Sequence, residues 1–197
     1  MTDRGLVRGL AAALLVTVAS QLFYVTIVSG SPNEALRPLT WFTELFAFSC
    51  STIAALALAA RQPAGAPLWA TLALAGLLNI LQVAVGLSMF APALEAASTL
   101  PQLFEAVLAG AFFLYFLAKM LIGGAGISLG YATLREAKGF LRWLGAACVL
   151  AGVSAMGLGF LAMNDAESWR FAAGASGTAA TALFAVLLLV APPLPAE

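Results

Sequence analysis

Apolar residues along the chain gather into runs of about 20 residues, the length an α-helix needs to cross roughly 30 Å of hydrocarbon. Polar residues and helix breakers separate these runs. The first predicts a helix from about Leu6 to Val28, ended by the stretch from Ser29 to Leu39, where Ser-Pro-Asn-Glu and a second proline, Pro38, interrupt the pattern. A second helix is expected over about Thr40 to Ala60. Arg61, Pro63, Gly65 and Pro67 make a short turn before the third, about Leu68 to Phe90, which should stop at a loop containing Pro92, Glu95 and Pro101. The fourth run, about Gln102 to Leu134, holds roughly 33 residues, on the order of 50 Å as a helix. It is longer than the hydrocarbon is thick, so it either projects from the membrane or breaks at Gly123-Gly124-Ala125-Gly126. A fifth helix is expected over about Phe140 to Met163. The sixth runs from about Phe171 to Val190, closed by Pro192, Pro193 and Pro195. The pattern is that of an all-α, polytopic membrane bundle of six transmembrane helices, one integral membrane domain over residues 1–197. Transmembrane β-strands would instead alternate apolar and polar at every second residue.

Composition sharpens this picture. The chain is 62% hydrophobic and 9% charged, with a mean hydropathy of +1.00, more apolar surface than one soluble core hides, so membrane lipid is its expected solvent. Zero formal net charge leaves no basic field to hold nucleic acid. Cys50 and Cys148 lie inside apolar runs and read as small hydrophobes rather than as a disulfide framework. Arg4 and Arg8 ahead of an apolar run containing Val18-Ala19-Ser20 resemble a secretory signal, but the apolar character continues through Val28, which reads as an uncleaved first helix. Six spans place both termini on one side. Arg4, Arg8, Arg61, Arg135, Lys138 and Arg142 would share that side and only Arg37 and Arg170 would lie opposite, so both termini are expected in the cytoplasm. Glu34, Glu95, Asp165 and Glu167 would then fall outside.

Helices in lipid associate where small residues let their backbones approach. Gly145, Cys148, Gly152, Ala155, Gly159 and Ala162 alternate spacings of three and four along the fifth run, a helix-packing seam that calls for a close neighbour. Gly174, Gly177, Thr178, Thr181 and Ala185 form a second small-residue surface, which makes helices five and six the expected tight hairpin.

An ionisable side chain near the bilayer centre costs about 2.5 to 3.5 kcal/mol on insertion scales. Glu44, Glu105 and Lys119 are the candidates within the spans. Gln21 and Tyr24 share a face of helix one, and Asn79 and Gln82 a face of helix three, at a depth near the two glutamates. These six residues, Glu44, Glu105, Asn79, Gln82, Gln21 and Tyr24, are the candidate lining of an outward-facing polar site among helices one to four, suited to a small amphipathic or lipid-like ligand. The alternative is that the glutamates face water or headgroups and that Asn79 and Gln82 are interhelical glue worth about 0.6 kcal/mol per contact. Lys119 lies too far along the axis to pair with Glu105 and is expected to snorkel toward the interface.

The chain contains no histidine, so bis-imidazole haem ligation, histidine-rich zinc sites and Ser-His-Asp catalysis fall away, and neither a metal site nor a cofactor is expected. Asp3 and Asp165 lie outside the spans, which leaves no intramembrane aspartate pair, and no glycine-rich phosphate cradle followed by lysine is present. Acid/base chemistry on an apolar substrate would require Glu44 and Glu105 to converge.

The segment from Glu105 to Val153 resembles a group of uncharacterised bacterial six-helix membrane proteins classed only as a domain of unknown function. The likeness rests on a long fourth helix ending in Gly130, Tyr131 and Arg135, a short basic turn, and Leu141, Arg142, Trp143, Leu144 and Gly145 opening a glycine-rich fifth helix. It implies six helices and no assigned activity; a bacterial inner membrane is the expected location. The expectation drawn from all of this is binding of an amphipathic ligand rather than catalysis. A small solute or proton-coupled transporter, an accessory subunit working through a membrane-protein partner or as a homo-oligomer, and an acid/base enzyme are the alternatives.

Overall fold

A computed structural model of the chain describes residues 2–33 and 35–190. Glu34 and the closing prolines Pro192, Pro193 and Pro195 lie outside the described residues. Six α-helices follow one another: α1 (Asp3–Phe23), α2 (Leu36–Arg61), α3 (Ala66–Glu95), α4 (Pro101–Glu136), α5 (Phe140–Asn164) and α6 (Ala166–Val190). Each is long and apolar enough to cross a bilayer, so the protein is a multi-pass membrane helix bundle. α1 runs on into a π-helical turn, Tyr24–Val28, which re-aims the end of the helix so that Val28 turns inward while Val25, Thr26 and Ile27 stay exposed.

Several ends differ from the sequence expectation, each for a local reason. α2 starts four residues early because Pro38 falls in its first turn, where a missing N–H costs nothing. α3 carries Pro92 internally and continues to Glu95. α6 begins at Ala166 rather than Phe171 because the Asp165 carboxylate accepts a hydrogen bond from the Ser168 backbone N–H at 3.1 Å, an N-cap. That fully exposed carboxyl is held below its usual value by the hydrogen bonds from Ser168. α4 is one continuous helix of 36 residues, about 54 Å long. Its glycine run does not break it, because Gly123 is pressed against the Gly152 backbone and Gly126 against Cys148, and lipid offers no substitute for a lost helical hydrogen bond.

These contacts are with α5. A Cβ added at Gly152 would sit 2.5 Å from the Gly123 carbonyl oxygen, one at Gly130 2.8 Å from that of Gly145, and one at Gly126 3.3 Å from the Cys148 sulfur. As the α4 number rises the α5 number falls, the signature of antiparallel backbones in direct contact. The whole α5 seam of Gly145, Cys148, Gly152, Ala155, Gly159 and Ala162 is buried. α5 and α6 pack closely as the hairpin expected, but the glycine-to-glycine approach belongs to α4 and α5. Gly139, at φ 61°, makes the turn between them.

Helices α1, α2, α3, α4 and α6 close into a ring, each touching the next, and α5 lies outside it across α4 and α6. The ring has two unlike halves. Near the end that carries the α2–α3 turn, Leu6, Leu10, Leu14, Leu58, Trp69, Leu72, Ile122, Leu129, Phe184 and Leu187 fill the interior as one apolar cluster. Here Asp3 pairs with Arg61 at 3.4 Å and accepts from Gln62 at 3.3 Å, while the Trp69 indole N–H donates to Gln62 at 3.0 Å. The other half, toward the α1–α2 connection, holds the polar groups.

Candidate functional site

Lys119 sits at the middle of α4 and is 0% exposed. Its stem lies across the backbone of α6 where Gly177 provides no side chain: a Cβ there would come within 2.8 Å of the Lys119 Cβ and Cγ. The ammonium donates to Gln21 Oε1 at 3.0 Å and to Thr181 Oγ1 at 3.5 Å, and lies 5.3 Å from the centroid of the Tyr115 ring. Gln21 Oε1 also accepts from the Thr178 hydroxyl at 3.0 Å. Thr181 passes its own proton to the Gly177 carbonyl at 2.7 Å, which leaves its oxygen free to accept from the lysine. The expectation that Lys119 snorkels to the interface is thus corrected. Two helices bring it acceptors at depth, and the small face of α6 gives its stem room.

Glu44, 6% exposed, reaches the same interior from α2. α2 and α4 are not neighbours in the ring, so Glu44 and Lys119 are two buried ionisable groups brought to the bundle interior by different helices. They do not form a contact ion pair; among the described residues the pair of that kind is Arg61 with Asp3. The Ser20 hydroxyl of α1 donates to the Thr40 carbonyl oxygen of α2 at 3.4 Å. Ser20 and Thr40 form part of the floor of a groove of about 320 Å³ between α1 and α2, with Val16, Ala19, Phe23, Leu39 and Thr43 as the rest of its lining. Val16, Phe23 and Leu39 are exposed on the membrane-facing surface, so the groove opens sideways into lipid.

Of the six residues singled out as a lining, the structure brings Gln21 and Glu44 into this cluster and leaves four elsewhere. Tyr24 stacks on Trp41 with ring centroids 6.2 Å apart and begins a chain of rings that passes through Phe90, at 5.5 Å from Trp41, to Phe104, a further 5.9 Å on. Trp41 packs over Gly86. These rings occupy the space among α1 to α4 where a pocket was expected. Asn79 is fully buried, but its amide nitrogen donates back to the Ala75 carbonyl at 2.9 Å and its Oδ1 has no partner among the described residues. Gln82 is half-buried and Glu105 exposed. Glu44 and Glu105 therefore supply no carboxyl pair for acid/base chemistry. Lys119, Tyr115, Thr178, Thr181 and Ser20 are the cluster members that sequence reasoning placed elsewhere or passed over. The available signal was the coincidence in depth of one lysine in α4 with the glycine-threonine face of α6.

Comparison with protein-family models, with curated proteins and with solved structures finds no match to this chain.

Proposed function

We propose that the protein binds one small amphipathic, lipid-like molecule in the groove between α1 and α2, with its polar head at Ser20, Thr40 and Thr43 and its hydrocarbon along Val16, Ala19, Phe23 and Leu39. The observation that carries this reading is a lipid-facing groove of about 320 Å³ with apolar walls and a hydroxyl-bearing floor. That volume is at the lower end of the range for small-molecule sites. The Ser20, Thr40 and Thr43 hydroxyls give their protons to the Thr40, Leu36 and Leu39 carbonyls, so their oxygens favour a head that donates hydrogen bonds, such as an alcohol or amine. A groove open to lipid admits such a molecule by lateral diffusion.

In this reading the protein resides in a bacterial inner membrane with both termini cytoplasmic. Arg4, Arg8, Arg61, Arg135, Lys138 and Arg142 lie toward the end that carries the α2–α3 turn, and cytoplasmic loops hold such an excess. The groove then belongs to the outer leaflet.

Native mass spectrometry of the gently extracted protein tests the proposal. Wild type should retain a single discrete adduct, and Ala19→Trp, which fills the groove from its wall, should lose it, as should Thr43→Val in part. Scattered bulk lipid, unchanged by Ala19→Trp, would contradict a site in this groove.

A further inference from the structure

The groove and the Lys119 cluster occupy one half of the bundle. At the opposite end, where α4 turns into α5, lies a charged surface that neither of them uses. Arg135, Lys138 and Arg142 fall across this turn against one carboxylate, Glu136. All four are exposed, and among the described residues no ion pair joins any of them.

Helix packing gathers the three cations at one height. Gly145 of α5 meets Gly130, Thr133 and Leu134 of α4, where an added Cβ would lie 2.8 to 3.2 Å from their atoms. One helical turn from that contact toward the loop, Arg142 of α5 stands level with Arg135 of α4. Lys138 sits between them in the turn that Gly139 makes at φ 61°. The backbone contact beneath holds this level, because neither helix can slide past the other without breaking it.

Aromatic side chains flank the cations. Tyr131, Phe140 and Trp143 are 55%, 74% and 76% exposed, and the Arg135 guanidinium lies 5.8 Å from the centroid of the Tyr131 ring. Trp and Tyr gather at the headgroup level of a bilayer, so these cations stand where lipid phosphates lie. A phosphodiester accepts charge-assisted hydrogen bonds from arginine and lysine. A zwitterionic headgroup gains less here, since its own ammonium is repelled by the same cations. α1 offers a comparison: Arg4 and Arg8 are exposed at the same end of the bundle, but no exposed aromatic side chain flanks them among the described residues.

We propose that the α4–α5 turn binds the headgroup of one anionic phospholipid from the adjoining leaflet. Arg135, Lys138 and Arg142 hold its phosphate, and Tyr131, Phe140 and Trp143 border the upper part of its acyl chains. The site lies at the opposite end from the groove between α1 and α2, so it stands or falls apart from the ligand proposed there.

The test is tryptophan quenching of the full chain in phosphatidylcholine vesicles. These carry a minor fraction of lipid brominated near the head of its acyl chains, either phosphatidylglycerol or phosphatidylcholine itself. The Trp143 contribution is read as the difference from Trp143→Phe. In wild type, brominated phosphatidylglycerol should quench Trp143 more than brominated phosphatidylcholine does. That preference should shrink about fivefold for each cation lost and weaken with added salt, as exposed charges require. A variant combining Arg135→Gln, Lys138→Gln and Arg142→Gln should be quenched equally by the two lipids. Combining Arg4→Gln with Arg8→Gln, which removes charge at the same end without touching the turn, should keep the preference. Equal quenching of wild type by the two lipids, a preference that survives the triple substitution, or a preference lost to the same degree in the α1 variant would each overturn the proposal.

Discussion

Lys119 places a cation at the centre of a lipid-embedded bundle, and the neighbouring residues show what such a placement requires. Its three protons find Gln21 and Thr181 oxygens and the Tyr115 ring face, and its methylene stem occupies the volume a Cβ at Gly177 would fill. Gly177→Ala gains helix propensity but drives a methyl into the base of the lysine side chain, where it cannot swing away. Overpacking of this kind costs about 1 to 3 kcal/mol, so the variant should unfold at lower denaturant than wild type. Asn79 is the opposite case, since its Oδ1 is buried without a partner. Asn79→Leu should therefore leave stability unchanged or raise it by about 1 kcal/mol and spare any bound ligand; loss of the adduct would show that Asn79 belongs to the site. Gln21 and Glu44 were legible from sequence as polar groups at matching depth. The link from Lys119 to Gln21 was not, because it spans 98 positions and depends on how each helix is rotated. Rotation is hidden when lipid-facing and core-facing residues are alike apolar.

At the scale of elements, the six runs could be read because span length is set by the bilayer and not by any particular contact. Their ends could be read only where cap chemistry was weighed, as Asp165 ahead of α6 shows. Asp165 has a lowered pKa in the folded protein, so its contribution is present above the unfolded value near 3.8 and is lost as pH falls through the lower folded value. Thermal unfolding followed from neutral pH downward should show that loss in wild type, while Asp165→Asn, which keeps the capping oxygen without the charge, should lack this component. The α5 seam could be read as a packing surface, but its partner could not, since α4 and α6 both carry small residues. The backbone contact makes a sharp comparison. Gly152→Val should destabilise the bundle by more than about 2 kcal/mol, because the Gly123 carbonyl cannot retreat. Gly157, with nothing within 4 Å of an added Cβ, should accept alanine with a gain of about 0.5 to 1 kcal/mol. Reversible unfolding of the two variants beside wild type checks both.

At the scale of the molecule, the arrangement is asymmetric along the membrane normal: an apolar half stapled at its end by Asp3, Arg61, Gln62 and Trp69, and a half in which Glu44 and Lys119 are buried beside a lipid-facing groove. Opposite charges in one interior of low dielectric should act as one unit although they do not touch, and the account of this half turns on that. A double-mutant cycle of Glu44→Gln and Lys119→Met, followed by reversible unfolding in mixed micelles, measures that directly. Each single change leaves an uncompensated buried charge and should cost about 3 kcal/mol, whereas the double variant should recover at least about 1 kcal/mol of the summed loss. If the two losses simply add, Glu44 and Lys119 are independent and the shared intramembrane site does not exist.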